Sequence, residues 1–285
     1  MNSGFLLIDK KEGWTSRDVC NKIQHIFNVK KVGHSGTLDP FATGLLIVGI
    51  GNATKALSFL EDFTKEYIAV IKLGKKTDTG DVTGNFIDTK SISDFSNNDL
   101  NVLSNSLLGK SMQIPPMTSA IKVNGKKLYE LAHKGIKIDR EPREIEIFEM
   151  NMIKSNIDEI ILKTHVSKGT YIRTLGEDIA EKLNNVGYLL SLRRTKINSI
   201  RVEDAKTIET INEKDKKTIS DILSSIIEVI KVDDETVTKI KNGMKLNKDI
   251  SLKKSNNILL VDNANNALAV YTKSMNGYLC KRGLW

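Results

Sequence analysis

The sequence predicts an α+β fold, on three observations. Strand-like segments outnumber helical ones, several are joined by hairpin-length turns, and the regular strand–helix alternation of a doubly wound sheet is missing. Residues 5–8, short and apolar before a charged turn, read as the first strand. Ser16 is placed to cap a helix over 17–27, where Val19, Ile23, Ile26 and Phe27 fall at i, i+4, i+7 and i+8. The apolar run 45–50 reads as a buried strand, 53–63 as a helix, and the β-branched run 67–73 as another strand. A polar glycine loop at 77–84 precedes a helix over 99–108, with Leu100, Leu103, Leu107 and Leu108 on one face.

In the second half, the dipeptide of Asn124 and Gly125 marks a hairpin within 119–128, followed by a short helix over 128–134. Segments 144–153 and 159–166 are strand-like and close enough in sequence to pair antiparallel. Residues 170–183 pass from strand to helix, so Tyr171 and Arg173, two apart, are expected on one face of a strand. A strand is expected near 188–193 and a helix over 219–230. A terminal module of short strands follows at 258–261, 267–271 and 278–281.

Composition narrows the class further. A hydrophobic share of 40% and a charged share of 27% describe an ordinary soluble globular protein. The net charge of +8 suits a polyanionic ligand, and residues 231–285 carry ten Lys and Arg against five Asp and Glu. Cys20 and Cys280 stand far apart, and His25, His34, His133 and His165 form no cluster, so neither a disulfide framework nor a metal site is expected. The N-terminal apolar run of four residues is too short for a signal peptide or a membrane span, which points to the cytoplasm.

The most informative stretch is 32–55, VGHSGTLDPFATGLLIVGIGNATK. It sets one carboxylate, Asp39, after two glycines and directly before Pro40, with His34, Ser35 and Thr37 close by. A lone Asp in a Gly/Pro loop is ordinarily a capping residue. This string, however, resembles the G-x-x-G-T-L-D-P-x-A-x-G-L-L signature of the TruB family of tRNA pseudouridine synthases. Further segments resemble that family in the same order: DKKEGWTS, with Lys11 where the family has proline; KEYIAVIKLGKKTDTGD; QIPPMTSAIKVNGKKLYELAHKGI; SKGTYIRTLGED; and SLRRTKI. Together they cover about residues 3–200.

What the resemblance implies is specific. The fold is that of a pseudouridine synthase, a largely antiparallel mixed sheet flanked by helices, with a catalytic domain over 1–230. Residues 231–285 resemble, more weakly, the small basic PUA-like RNA-binding module that ends such enzymes. The catalytic residues are Asp39, Tyr67 and Arg173, the arginine pairing with the aspartate so that the buried carboxylate stays ionised. Lys10, His34, Tyr171 and Leu192 are the residues expected to meet the RNA. Tyr67 stacks on the uracil, Leu192 walls its pocket and His34 stands among extruded bases; Lys122, Lys126, Lys127 and Lys134 are phosphate-contact candidates.

The implied reaction isomerises uridine 55 in the tRNA T-loop after flipping it out of the stack. It needs no cofactor and no metal, because nothing is oxidised and no group is carried. Whether the carboxylate adds to C1′ or removes the C2′ proton is open at this point. The implied partner is the tRNA T-arm, with no membrane and no obligatory protein partner, and the chain is expected to be a monomer. Three other readings stand beside this one: the catalytic subunit of guide-RNA-directed pseudouridylation, an enzyme acting on ribosomal or small RNA by another route, and a non-catalytic tRNA-binding or folding factor. A phosphate-binding-loop enzyme is excluded, since GHSGT is followed by no Gly-Lys-Ser/Thr element.

Overall fold

The apolar runs near the N-terminus form strands β1 (Gly4–Lys10), β2 (Val32–Ser35) and β3 (Thr43–Ile50), with helix α1 (Ser16–Ile26) between the first two. β1 and β2 each pair antiparallel with β3, and Leu6, Ile8, Leu46 and Ile47 are fully buried there. These positions come from a computed structural model, which describes residues 3–119, 121–123, 125–132, 134–136, 138–250 and 255–285. The chain divides into two units: Met1–Pro40, Gly44–Asp62 and Asn198–Trp285 form the first, and Phe41–Thr43 with Phe63–Ile197 the second.

The second unit is built on one antiparallel sheet, with helices and separate two-stranded hairpins. Its elements are β4 (Lys65–Leu73), β5 (Lys75–Thr77), β6 (Phe86–Thr89), α2 (Asn97–Ser106), β7 (Gly109–Gln113), β8 (Lys122–Val123), β9 (Lys126–Lys127), α3 (Leu128–Ala132), β10 (Arg143–Asn156), β11 (Glu159–Val166), α4 (Ile172–Lys182) and β12 (Gly187–Ile197). The sheet runs β12-β4-β11-β10-β7, every neighbour antiparallel, and the hairpins pair β5 with β6 and β8 with β9. On β4 alternate residues Tyr67, Ala69, Ile71 and Leu73 are buried, as a period of two requires for a sheet covered on one face. Helix α4 lies on that face: a Cβ on its Gly176 would stand 2.8 Å from a methyl of Leu189, which pairs with Ile71.

The rest of the first unit returns to its start. Phe5 and Lys217 exchange two backbone hydrogen bonds of 2.8 Å, and Asp9 donates to the Lys206 carbonyl at 2.9 Å. After β13 (Ile200–Arg201) and α5 (Ile219–Leu223) come β14 (Glu228–Lys231), α6 (Asp234–Lys241), β15 (Asn257–Val261), β16 (Ala267–Ser274) and β17 (Gly277–Gly283). β14 runs parallel to β15, and β15, β16 and β17 are antiparallel. Their core gathers Ile240, Leu246, Ile258, Leu260, Tyr271 and Tyr278. The two phenols donate to the carbonyls of Met244 and Ser255, and burial pushes the Tyr271 hydroxyl up to about 12. α6 ends in a Schellman turn: Gly243 N–H bonds the Ile240 carbonyl and Met244 N–H the Lys239 carbonyl. Gly277 admits no side chain, since a Cβ there would meet the Leu246 oxygen at 2.1 Å. Among the described residues no helix is long and apolar enough to cross a membrane.

Five expectations change. The cap of α1 is Thr15, in a reciprocal capping box with Asp18, and not Ser16. The helix expected over 53–63 is a 3-10 helix over Gly51–Leu60. Residues 219–230 are helical only to Leu223, because Glu228–Lys231 is recruited into a parallel pair with β15. Arg173 stands in helix α4 with Tyr171 as its N-cap, so the two share no strand face. In α2 only Leu100 of the expected leucine face is buried. The hairpin forms around β8 and β9, with Asn124 and His133 outside the described residues.

Candidate active site

In the first unit Asp39 is half-buried, and its two chain neighbours are both tied down. On the N-terminal side, the Ser16 hydroxyl accepts from Leu38 N–H at 2.9 Å and donates to the Leu38 carbonyl at 3.1 Å. Ser16 is 2% exposed and Leu38 3%, so neither bond competes with water. On the C-terminal side, the Pro40 carbonyl accepts from Gly13 N–H at 2.8 Å and from Lys10 Nζ at 3.3 Å. Lys10 is 1% exposed, and its ammonium also donates to the carbonyls of Lys11 and Trp14, at 3.0 and 2.7 Å. The turn that supplies these groups needs Gly13 at φ +83°, a left-handed conformation that other residues avoid.

Lys10 was expected at the RNA; it stands buried beneath the Asp39 loop, on carbonyl oxygens. Lys11, at the position the family gives to proline, reaches Glu209 at 3.0 Å and holds that carboxyl below its usual range. Both side chains are more than half exposed, so the pair contributes little to stability. His34 lies on β2 opposite Val48, half-buried, five residues before Asp39.

The second unit holds the other expected residues. Tyr67 is 8% exposed on β4, opposite Thr164 of β11 and Arg194 of β12. Leu192, 7% exposed, is opposite Ala69, which makes it a diagonal neighbour of Tyr67 on the same sheet face. Arg173, 4% exposed, sits in the first turn of α4, the helix that covers this face. A cation there opposes the helix dipole, so its surroundings must offset that cost. They do: its Nη1 donates to the Thr79 carbonyl at 2.8 Å and to the Thr118 hydroxyl, and its Nη2 to the Thr118 carbonyl at 3.0 Å. The Asp81 carboxylate lies 3.6 Å away, with both side chains 5% exposed.

Asp81 is itself the hub of its loop. Its Oδ1 accepts from the hydroxyls of Thr79 and Thr83 and from Thr83 N–H, while the Thr77 hydroxyl donates to its carbonyl. The loop 77–84 is thus folded around the carboxylate that meets Arg173. Tyr171, the N-cap of α4, has both backbone groups held by one side chain: it donates to Gln113 Oε1 at 2.8 Å, and its carbonyl accepts from Gln113 Nε2 at 3.1 Å. Asp81, Thr118, Gln113 and the buried Arg194 are site residues that the sequence reading missed. Their signal was present, in that TDTGD and QIPPMTS belong to the quoted motifs, but periodicity assigns them only to loops.

Residues 24–172, which contain His34, Asp39, Tyr67 and Tyr171, match the family model of the TruB family pseudouridylate synthase N-terminal domain. The chain is 45% identical over 206 residues to the tRNA pseudouridine synthase B of Geotalea uraniireducens, covering 72% of this chain and 66% of that protein. It is 38% identical over 280 residues to the tRNA pseudouridine synthase B of Oceanobacillus iheyensis, covering 94% and 92%. In fold it is similar to a chain of the crystal structure of a Cbf5-Nop10-Gar1 complex, with TM-score 0.74 and 20% identity over 99% of this chain and 85% of that one. Motifs, fold and matched span converge, and the chain belongs to the TruB family of pseudouridylate synthases.

Proposed function

We propose that this protein isomerises uridine to pseudouridine at position 55 in the T-loop of tRNA, with Asp39 as the reacting carboxylate and without a cofactor. Relatives named tRNA pseudouridine synthase B, one aligned along 94% of this chain, support the substrate class. The observation that carries the reading is the Asp39 loop, where both neighbours of one half-buried carboxylate are held through their main chain. A surface turn has no use for such constraint; a group that must meet a ribose in one geometry does.

The reaction breaks the C1′–N1 bond, turns the uracil, and closes a C1′–C5 bond, after which the C5 proton leaves to solvent and N1 takes up a proton in its place. Asp39 serves either by adding to C1′ or by taking the C2′ proton. Bringing the base out of its stack costs a few kcal/mol. Tyr67 stacks on the flipped uracil, Leu192 walls its pocket, and His34 occupies space among the displaced bases. Arg173 keeps the Asp39 carboxylate ionised, and Asp81 fixes the guanidinium. Tyr171, held at its main chain by Gln113, faces the nucleotide, and Lys10 serves the RNA site by fixing the Asp39 loop. The exposed Lys122, Lys126 and Lys134 contact phosphate.

Functionally the chain reads as a catalytic part, 1–230, and a basic PUA-like RNA-binding part, 231–285. It acts as a cytoplasmic monomer with no obligatory protein partner. The test is tritium release from tRNA transcript labelled at C5 of uridine. Wild type is expected to release it, Asp39→Asn to release none, and a transcript altered at position 55 to be inert. Tight tRNA binding by both proteins with no release by wild type would overturn the enzyme reading in favour of a folding factor or a guide-dependent subunit.

A further inference from the structure

Thr15 and Ser16 are adjacent hydroxyl residues at the start of α1, and the structure gives them separate tasks. Thr15 caps the helix: its Oγ1 accepts from Asp18 N–H at 3.0 Å, and the Asp18 carboxylate accepts from Thr15 N–H at 2.9 Å. The Thr15 hydroxyl also donates to that carboxylate at 2.6 Å, and hydroxyl and N–H together hold the Asp18 carboxyl below its usual range. With the cap provided, the Ser16 hydroxyl is not needed by the helix. It turns instead to a residue 22 positions away and engages both the N–H and the carbonyl of Leu38.

We propose that Ser16 is a positioning residue for Asp39. One hydroxyl has one proton to give and lone pairs to accept with, and here both are used on the residue before the carboxylate. The Pro40 carbonyl on the other side is fixed by Gly13 N–H and Lys10 Nζ. A single stretch, residues 10–16, therefore holds both flanks of Asp39. Ser16 does so from inside the protein, 2% exposed, where water cannot replace its bonds. Removing the hydroxyl frees the peptide groups on the N-terminal side of Asp39 to rotate, and a carboxylate displaced by about 1 Å loses on the order of 100-fold in rate. Because Ser16 acts through the main chain of Leu38, its loss changes the chemical step and leaves RNA binding alone. The inference rests on the reading of Asp39 as the reacting carboxylate.

The experiment compares Ser16→Ala and Thr15→Ala with wild type in single-turnover tritium release. tRNA Kd and Tm are measured in parallel, and rates are taken per folded enzyme. Ser16→Ala is expected to lose about 10- to 100-fold in rate with Kd unchanged. Thr15→Ala is expected to lower Tm by a few degrees and keep the wild-type rate. Should Ser16→Ala fail to fold, Ser16→Cys, which keeps the bulk and weakens the bonds, is expected to fall about 10-fold. A wild-type rate in the folded Ser16 variant, or an equal loss of rate in Thr15→Ala, would overturn the proposal. Absence of release by wild type strikes the reading of the enzyme instead, which keeps the two failures distinct.

Discussion

Leu38 in the first unit and Tyr171 in the second are held by the same device built from different groups. Each has its N–H and its carbonyl engaged by one side chain from a distant stretch, Ser16 in one case and Gln113 in the other. Ser16 does this with a single oxygen, whereas Gln113 uses the two ends of an amide. Beyond that, the surroundings diverge. The Asp39 flanks are held by a hydroxyl, an N–H and a buried ammonium, while Arg173, two residues past Tyr171, is held by a carboxylate and by threonine oxygens. Both proposed reacting regions are thus placed through the backbone, and the second also holds the buried pair of Arg173 and Asp81. The second should therefore respond to the loss of a charge as well as to the loss of a backbone anchor.

Substitutions can break that comparison. The largest effect is expected from Asp81→Ala, which removes the carboxylate beside a buried guanidinium and the hub of its own loop. Breaking a buried pair costs about 3 kcal/mol or more, read by urea unfolding, and the loss should persist at high salt because solvent does not reach the pair. Salt-sensitive destabilisation, or none, would show that Arg173 does not need Asp81. Next comes Gln113→Leu, which leaves the N–H and carbonyl of Tyr171 without the amide; about 2 kcal/mol is expected in the same measurement. A cost near zero would mean that Tyr171 is fixed by something other than its main chain.

A smaller effect concerns Asp178, on α4 one turn past Arg173. Burial, with Glu177 and Glu181 beside it, pushes its carboxyl up to about 6. The folded state thus holds this proton more tightly than the unfolded chain does. Stability should fall as pH rises from about 4 to about 6 and stay lower above that. Asp178→Asn removes the penalty: no change is expected near pH 4, and a gain of about 1 kcal/mol at pH 7, reduced from the full linkage value because the side chain is partly solvated. A variant whose stability curve parallels wild type across that window would reject the assignment. The smallest effect is expected from Glu209→Gln, which breaks an exposed pair with Lys11 and should leave Tm unchanged.

Much of this was legible in the sequence. The α+β class, the antiparallel pairing of Arg143–Asn156 with Glu159–Val166, and the terminal strands follow from periodicity and turn chemistry, which are local. The errors occur where a distant partner decides. The run TYIRT reads as a strand, yet Gln113, 58 residues away, holds Tyr171 as the cap of a helix. The β-branched end of 219–230 leaves its helix because β15 offers an edge. Ser16 is an exception: it is an eligible helix cap by residue type, but the local capping box of Thr15 with Asp18 takes that role and leaves Ser16 to a partner 22 positions away. For the site, the motifs locate Asp39, Tyr67 and Arg173, whereas Asp81 and Gln113 emerge only from hydrogen bonds across the fold.

The exchange of backbone bonds between Phe5 and Lys217 has a consequence for the order of synthesis. Strand β1 is made well before one of its hydrogen-bonding partners, which comes some two hundred residues later. At about 5–20 residues per second that is an interval of roughly 10–40 s. Through it, part of an apolar strand edge waits unpaired, while nearly all of the second unit is translated as one continuous stretch. That waiting edge is open to aggregation for as long as its partner is unmade, and a slowed ribosome would lengthen the exposure.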